Sequence, residues 1–150
     1  MKHQVVLLFS LLLVVLASCK NEPKEVAYNP FATPEGCVKE YLDATDSCDM
    51  VRMLKCFSYE PKYESLLREH LQEKLDKKAS RKEYSPDYYY RLDSVKLKNV
   101  YPNSAVVTVH YTDGYKDKNL ISPEEYDMNL VKDSANWKIE VRIGLGFSTN

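Results

Sequence analysis

From residue 34 onward the apolar positions recur first every three or four residues and then every second residue, with the change near Tyr88. Pro34 and Glu35 open a segment in which Val38, Tyr41, Leu42 and Thr45 share one face of a helix. A second helix, after Ser47, carries Met50, Met53, Leu54 and Phe57 at the same spacing. A third, from about Pro61 to Ala79, presents Tyr63, Leu67, Leu71 and Leu75 every four residues, with charges on its other faces. Beyond Tyr88 the composition shifts to valine, tyrosine and threonine, and strands are predicted from about Tyr89 to Val100, Ala105 to Thr112 and Tyr126 to Lys132. Tyr-Pro-Asn-Ser at 101–104 is a turn, and Asp113-Gly114 with the polar residues to Asn119 breaks the second strand. After a turn at 133–136, a fourth strand sets Trp137, Ile139, Val141 and Ile143 against Lys138, Glu140 and Arg142. Helices followed by an antiparallel meander with one apolar face predict an α+β domain over 34–150, its N-terminal helices packed on one side of a curved antiparallel sheet.

The first eighteen residues follow another logic. Val5 to Ser18 is almost uninterruptedly apolar, but as a helix it spans only roughly 21 Å against a hydrocarbon core of roughly 30 Å. With Lys2 and His3 before it and the small residues Ala17 and Ser18 behind, the segment has the order of a secretory signal peptide, residues 1–18, which is removed. Its end, Leu16-Ala17-Ser18-Cys19, resembles the lipobox of bacterial lipoproteins. That resemblance implies cleavage between Ser18 and Cys19, with Cys19 alkylated by a diacylglyceryl group and left as the new N-terminus. Two or three acyl chains (palmitate or similar), at about 0.8 kcal/mol per buried CH₂, make a lasting membrane anchor. Lys20 in place of Asp after the cysteine resembles the pattern that sorts such proteins to the outer membrane in enteric bacteria. A plain signal peptide with a coincidental cysteine is the alternative.

Residues 19–33 are charged and proline-bearing, with few aliphatic side chains, and read as a flexible tether reaching at most about 50 Å. Charge is nearly balanced, 21 basic against 22 acidic side chains, which gives no electrostatic case for nucleic acid as a partner. The one basic cluster, Lys77 to Lys82, falls where the third helix is expected to end, which fits a solvated terminus complementing the helix dipole better than a lipid-headgroup patch. Of Cys37, Cys48 and Cys56, the first and last lie eight residues either side of the bend between the first two helices, within reach of a disulfide. Three buried thiols acting as small hydrophobes are the alternative. The cysteine spacings, with only His70 and His110 in the domain, match no familiar zinc pattern, and no cofactor is implied.

The element order, and the stretches VKEYLDATDSCDMVRML, AVVTVHY and LVKDSANWKIE, resemble the nuclear transport factor 2-like superfamily, notably short bacterial lipoproteins of unknown function. The resemblance implies a cone of sheet and helices, used by some relatives for isomerase or dehydratase chemistry with an internal Asp or His and by many as a non-catalytic binding module. On the faces predicted to point inward the polar tips belong to Tyr41, Tyr111, Tyr126 and Trp137, candidates for a pocket lining, with satisfied core aromatics as the plainer explanation. Alternation sends His110, Asp127 and Glu140 outward, so no catalytic residue is assigned. Two functions remain: a lipid-anchored cell-envelope module binding a small apolar ligand or an envelope protein, or a small envelope enzyme using a pocket acid or base. Oligomeric state is not legible.

Overall fold

The computed structural model describes residues 28–84, 87–116 and 120–141. The expectations for the signal peptide, Ser18, Cys19 and the tether as far as residue 27, and for Arg142 and Ile143, lie outside these. The chain forms α1 (Pro34–Asp46), α2 (Met50–Lys55), β1 (Phe57–Ser58), α3 (Glu64–Tyr84), β2 (Tyr88–Val100), β3 (Ser104–Tyr115), β4 (Leu120–Asp133) and β5 (Asn136–Glu140). The helices pack on a five-stranded sheet of order β1-β5-β4-β3-β2. Among the described residues no helix is long and apolar enough to cross a membrane.

Local chemistry sets the start of α1. The Thr33 hydroxyl accepts the Gly36 N–H at 3.1 Å, Pro34 occupies the first turn, and Glu35 faces the positive end of the dipole. The buried face is Cys37, Val38, Tyr41 and Ala44, one position round from the predicted stripe. Leu42 is only partly covered, and Thr45 turns its hydroxyl back to the Tyr41 carbonyl at 2.8 Å. Cys48, at φ 55°, reverses the chain, and Asp49 caps α2 through the Arg52 N–H at 3.0 Å. Arg52 then reaches back to α1, with both nitrogens of its fork on the Glu40 carboxylate at 2.8 and 3.1 Å and a further bond to Asp43.

Phe57 does not continue α2 as its spacing predicts. The helix stops at Lys55, and Phe57-Ser58 pairs in parallel with Ile139 and Glu140, so the sheet is mixed rather than wholly antiparallel. Packing decides the outcome: the Phe57 ring meets Tyr41 edge-on at 5.2 Å, a contact that one further helical turn would forfeit. The third helix also differs at both ends. Pro61–Tyr63 is a 3-10 turn, and α3 runs on to Tyr84 while burying Leu67, Leu71 and Leu75. The basic run therefore lies within α3, where Lys77 pairs with Glu73 and Lys78 bonds both the Thr45 carbonyl and Asp46 at the negative end of α1.

In the sheet, Ala105, Val107 and Val109 of β3 stand opposite Leu130, Met128 and Tyr126 of β4, and Leu130 stands opposite Ile139 of β5. This inward row meets α1 and α3 in a single core. Asp113-Gly114 does not break β3. Gly114, at φ 144°, carries the strand through to Tyr115, and a Cβ there would strike the Leu120 backbone, so the glycine permits the close approach. β4 correspondingly begins six residues before Tyr126. It accommodates Pro123 because β5 covers only Leu130 to Asp133, leaving β4 one unpaired side at that point. Register shifts after Leu92 and Leu97 bend β2, the outer strand.

The end of the stretch predicted as tether is docked on the domain. Asn29 caps the 3-10 turn Pro30–Ala32 and bonds Asn136 at 3.2 Å, while Phe31 packs on the core beneath the Lys138 ammonium at 4.1 Å. Gly36 makes this possible, since a Cβ there would lie 2.3 Å from the Pro30 carbonyl oxygen. Gly36→Ala is expected to displace the turn and cost about 1–3 kcal/mol. The checks are urea unfolding and faster proteolytic cleavage between residues 28 and 33.

Candidate functional site

The helices cover only part of the inward face of the sheet. Beyond the end of α1, β2, β3 and β4 continue and carry tyrosines along that face. Tyr111 lies 5.7 Å, ring to ring, from Tyr90 on one side and 5.7 Å from Tyr126 on the other. The row follows from register: Val109 pairs with Tyr126, so Tyr111, two residues further along β3, meets it diagonally, while Leu92 opposite Tyr111 brings Tyr90 alongside. Tyr88 and Tyr115, a directly opposed pair, extend the aromatic surface at 5.6 Å. Leu92 and Leu120 (63 % exposed) add exposed hydrocarbon to this face at the same end of the strands.

The polar groups of the row are few and fixed. The Tyr88 hydroxyl is bonded to Asp113 at 3.1 Å, and the Arg81 guanidinium of α3 stands 5.7 Å over its ring. Among the described residues none pairs with the hydroxyls of Tyr90, Tyr111 or Tyr126. Burial, reinforced by the Asp46 carboxylate, pushes the Tyr90 phenol up to about 12. Burial and the neighbouring phenols of Tyr90, Tyr41 and Tyr111 push Tyr126 up as well. Both therefore stay protonated across the physiological range, presenting a flat apolar ring and an O–H able to donate or accept.

Three of the four residues predicted as lining thus come together: Tyr111 and Tyr126 in the row, and Tyr41 (5 % exposed) closing its inner end from α1. Trp137 does not join them. It is 7 % exposed and lies opposite Lys132, six positions and roughly 20 Å along β4 from Tyr126, where it is core. Tyr88, Tyr90, Arg81 and Asp113 were not read from the sequence. Alternate tyrosines at 88 and 90 were the available signal, but the assumed break at Asp113-Gly114 removed the strand that completes the surface.

The opposite face of the sheet is polar and internally paired. Asp127 accepts from Thr108 at 2.6 Å and from Lys98 at 2.7 Å, which hold its carboxyl below the usual range. His110 Nδ1 lies 3.2 Å from Glu125. Asp93, bonded by Thr112 and Arg91, is held low in the same way. A shallow groove of about 370 Å³ runs among Asp93, His110, Tyr111, Pro123, Glu124 and Glu125, so it reaches the tyrosine row at Tyr111. Asp93, His110 and Glu125 pair with neighbouring side chains across the strands, and Glu124 accepts from Ser122 of its own strand. Among the described residues no group of three or more His, Cys, Asp or Glu side chains is placed to hold a metal ion. The three cysteines of the domain are thiols, Cys37 and Cys56 buried and Cys48 exposed.

No family model matches the chain, and no curated protein matches it in sequence. Solved structures with a similar arrangement include a Campylobacter jejuni protein assigned as a nuclear transport factor 2-like transpeptidase, 9% identical over 73% of this chain and 99% of that one, with a TM-score of 0.49. A ketosteroid isomerase-like protein from Erwinia carotovora atroseptica is 16% identical over 74% of this chain and 91% of its own, with a TM-score of 0.40. A nuclear transport factor 2-like protein of unknown function from Shewanella oneidensis is 12% identical over 69% and 88%, with a TM-score of 0.36.

Tyr90 and Tyr126 make stability depend on alkaline pH in a stated direction. Unfolded, each phenol releases its proton near 10; folded, Tyr90 does so near 12. Their contribution is fully present below pH 10 and is lost as pH rises toward 12. Urea unfolding at stepped pH should show that decline in the wild type and a shallower one in a Tyr90→Phe, Tyr126→Phe double variant.

Proposed function

We propose that this chain is a lipid-anchored module of the bacterial cell envelope, of the outer membrane by its Cys19-Lys20 junction, that binds a small apolar ligand bearing a ring and a hydroxyl or carbonyl. The observation that carries the binding reading is the row Tyr90, Tyr111 and Tyr126: three adjacent rings with hydroxyls unpaired by described residues, beside exposed Leu92 and Leu120. Ring faces supply dispersion and apolar area, and the hydroxyls fix orientation, the usual division of labour in a small-molecule site. Phenols held protonated serve as donors and walls rather than as bases. His110 and Asp127 lie on the other face in cross-strand pairs, and the Asp113 carboxylate at the row accepts from the Tyr88 hydroxyl, which favours binding over catalysis.

The anchor rests on Leu16-Ala17-Ser18-Cys19 and on the chemistry of thiol alkylation. Because Asn29 is docked, only nine residues separate Cys19 from Asn29, a reach of at most about 35 Å. The binding surface then works within a protein diameter of the bilayer, where apolar molecules are concentrated.

Two measurements test this. Intact mass and membrane partition of the expressed protein should fit cleavage before Cys19 with added acyl chains, and Cys19→Ala should lose both; a soluble, unacylated wild type would sink the anchor. For the ligand, N-phenylnaphthylamine, a neutral aromatic probe, should bind with enhanced fluorescence. Tyr111→Ala should weaken it roughly three- to tenfold with circular dichroism unchanged. Equal binding by wild type and variant would remove the tyrosine row from the site.

A further inference from the structure

Cys37, in the second turn of α1, and Cys56, which ends α2, are both 0 % exposed. The Cys37 S–H points at the Cys56 carbonyl at 3.6 Å, which brings the two residues together, and the Cys56 S–H bonds the Arg52 carbonyl at 3.3 Å. The surrounding backbone is held independently of either sulfur. The Cys56 carbonyl accepts the Ile139 N–H at 2.7 Å, and Arg52 clasps Glu40 and Asp43. Cys48 stands apart, exposed on the turn and separated from Cys56 by the whole of α2.

We propose that Cys37 and Cys56 form a disulfide when the chain is exported, joining α1 to the start of β1 across the helical hairpin. The inference rests on the envelope address, because only an oxidising compartment keeps such a bond. The co-reactant is a second disulfide, that of an envelope thiol oxidase or of oxidised glutathione. The Cys37 thiolate attacks one sulfur of it; that S–S bond breaks, and the departing thiolate takes up a proton. The Cys56 thiolate then attacks the Cys37 sulfur of the mixed disulfide and releases the second thiol. Two protein S–H groups are lost, one S–S bond is gained, and the oxidant is reduced to two thiols. With neither sulfur exposed in the folded domain, exchange takes place before α2 seals against α1.

The test uses the chain from Cys19 onward bearing Cys19→Ala, denatured, refolded in a glutathione redox buffer, trapped by alkylation without reductant and mapped by mass spectrometry. The expected result is one peptide pair linked through Cys37 and Cys56 with Cys48 alkylated, and an unfolding temperature that falls on adding reductant. A Cys37→Ser, Cys56→Ser variant, folded but insensitive to reductant, serves as the control. Alkylation of both Cys37 and Cys56 after refolding, or links to Cys48, would overturn the pairing. The same mapping on the lipidated wild type from membranes separates the two premises: linkage in the buffer with free thiols in the cell would keep the pairing and overturn the export address.

Discussion

The contact between one face of α1 and the inward row of the sheet governs the rest of the molecule. Cys37, Val38, Tyr41 and Ala44 are covered by Val107, Val109, Leu130 and Ile139, and each later element completes this burial. α2 is too short to be stable alone and is held by Met53, Leu54 and the Arg52 clasp. α3, charged on most faces, is fixed by its leucine stripe. The 3-10 turn of Pro30–Ala32 closes the open end of the same core.

Much of this was visible in the sequence, and the losses have identifiable causes. A change of period from 3.6 to 2 is a strong signal because it reflects burial of one face, and it located α1, α3 and the strands. Phe57 was lost because helical spacing continued for one residue after tertiary contacts had claimed the chain for β1. The last three residues of β3 and the first six of β4 were lost because Asp-Gly and Pro usually end strands. Here Gly114 allows close backbone approach, and Pro123 falls where β4 has a free side. Of the candidate site, Tyr41 followed from helical periodicity and Tyr111 and Tyr126 from strand alternation, whereas Tyr88 and Tyr90 needed the strand length that those residues disguised. Trp137 shows the limit of such reasoning: a shared face does not mean a shared place along it.

The two faces of the sheet spend their polar groups differently. On the outer face Thr108, Asp127 and Lys98, and likewise Thr112, Asp93 and Arg91, bond to one another, so the surface is satisfied before anything binds. On the inner face the rings touch one another while the hydroxyls of Tyr90, Tyr111 and Tyr126 stay unpaired by described residues. That asymmetry directs attention to the tyrosine row.

The pairing of β1 with β5 has a kinetic side. Phe57 and Ser58 find their partners at Ile139 and Glu140, across almost the whole length of the domain, and the Ile139 N–H is also what holds the Cys56 carbonyl. The hairpins of β2, β3 and β4 can assemble from near neighbours, but the edge of the sheet beneath α2 stays open until the last strand arrives. A chain made from its N-terminus therefore carries unsealed helices until its last strand is in place, so closure of the whole domain waits on β5.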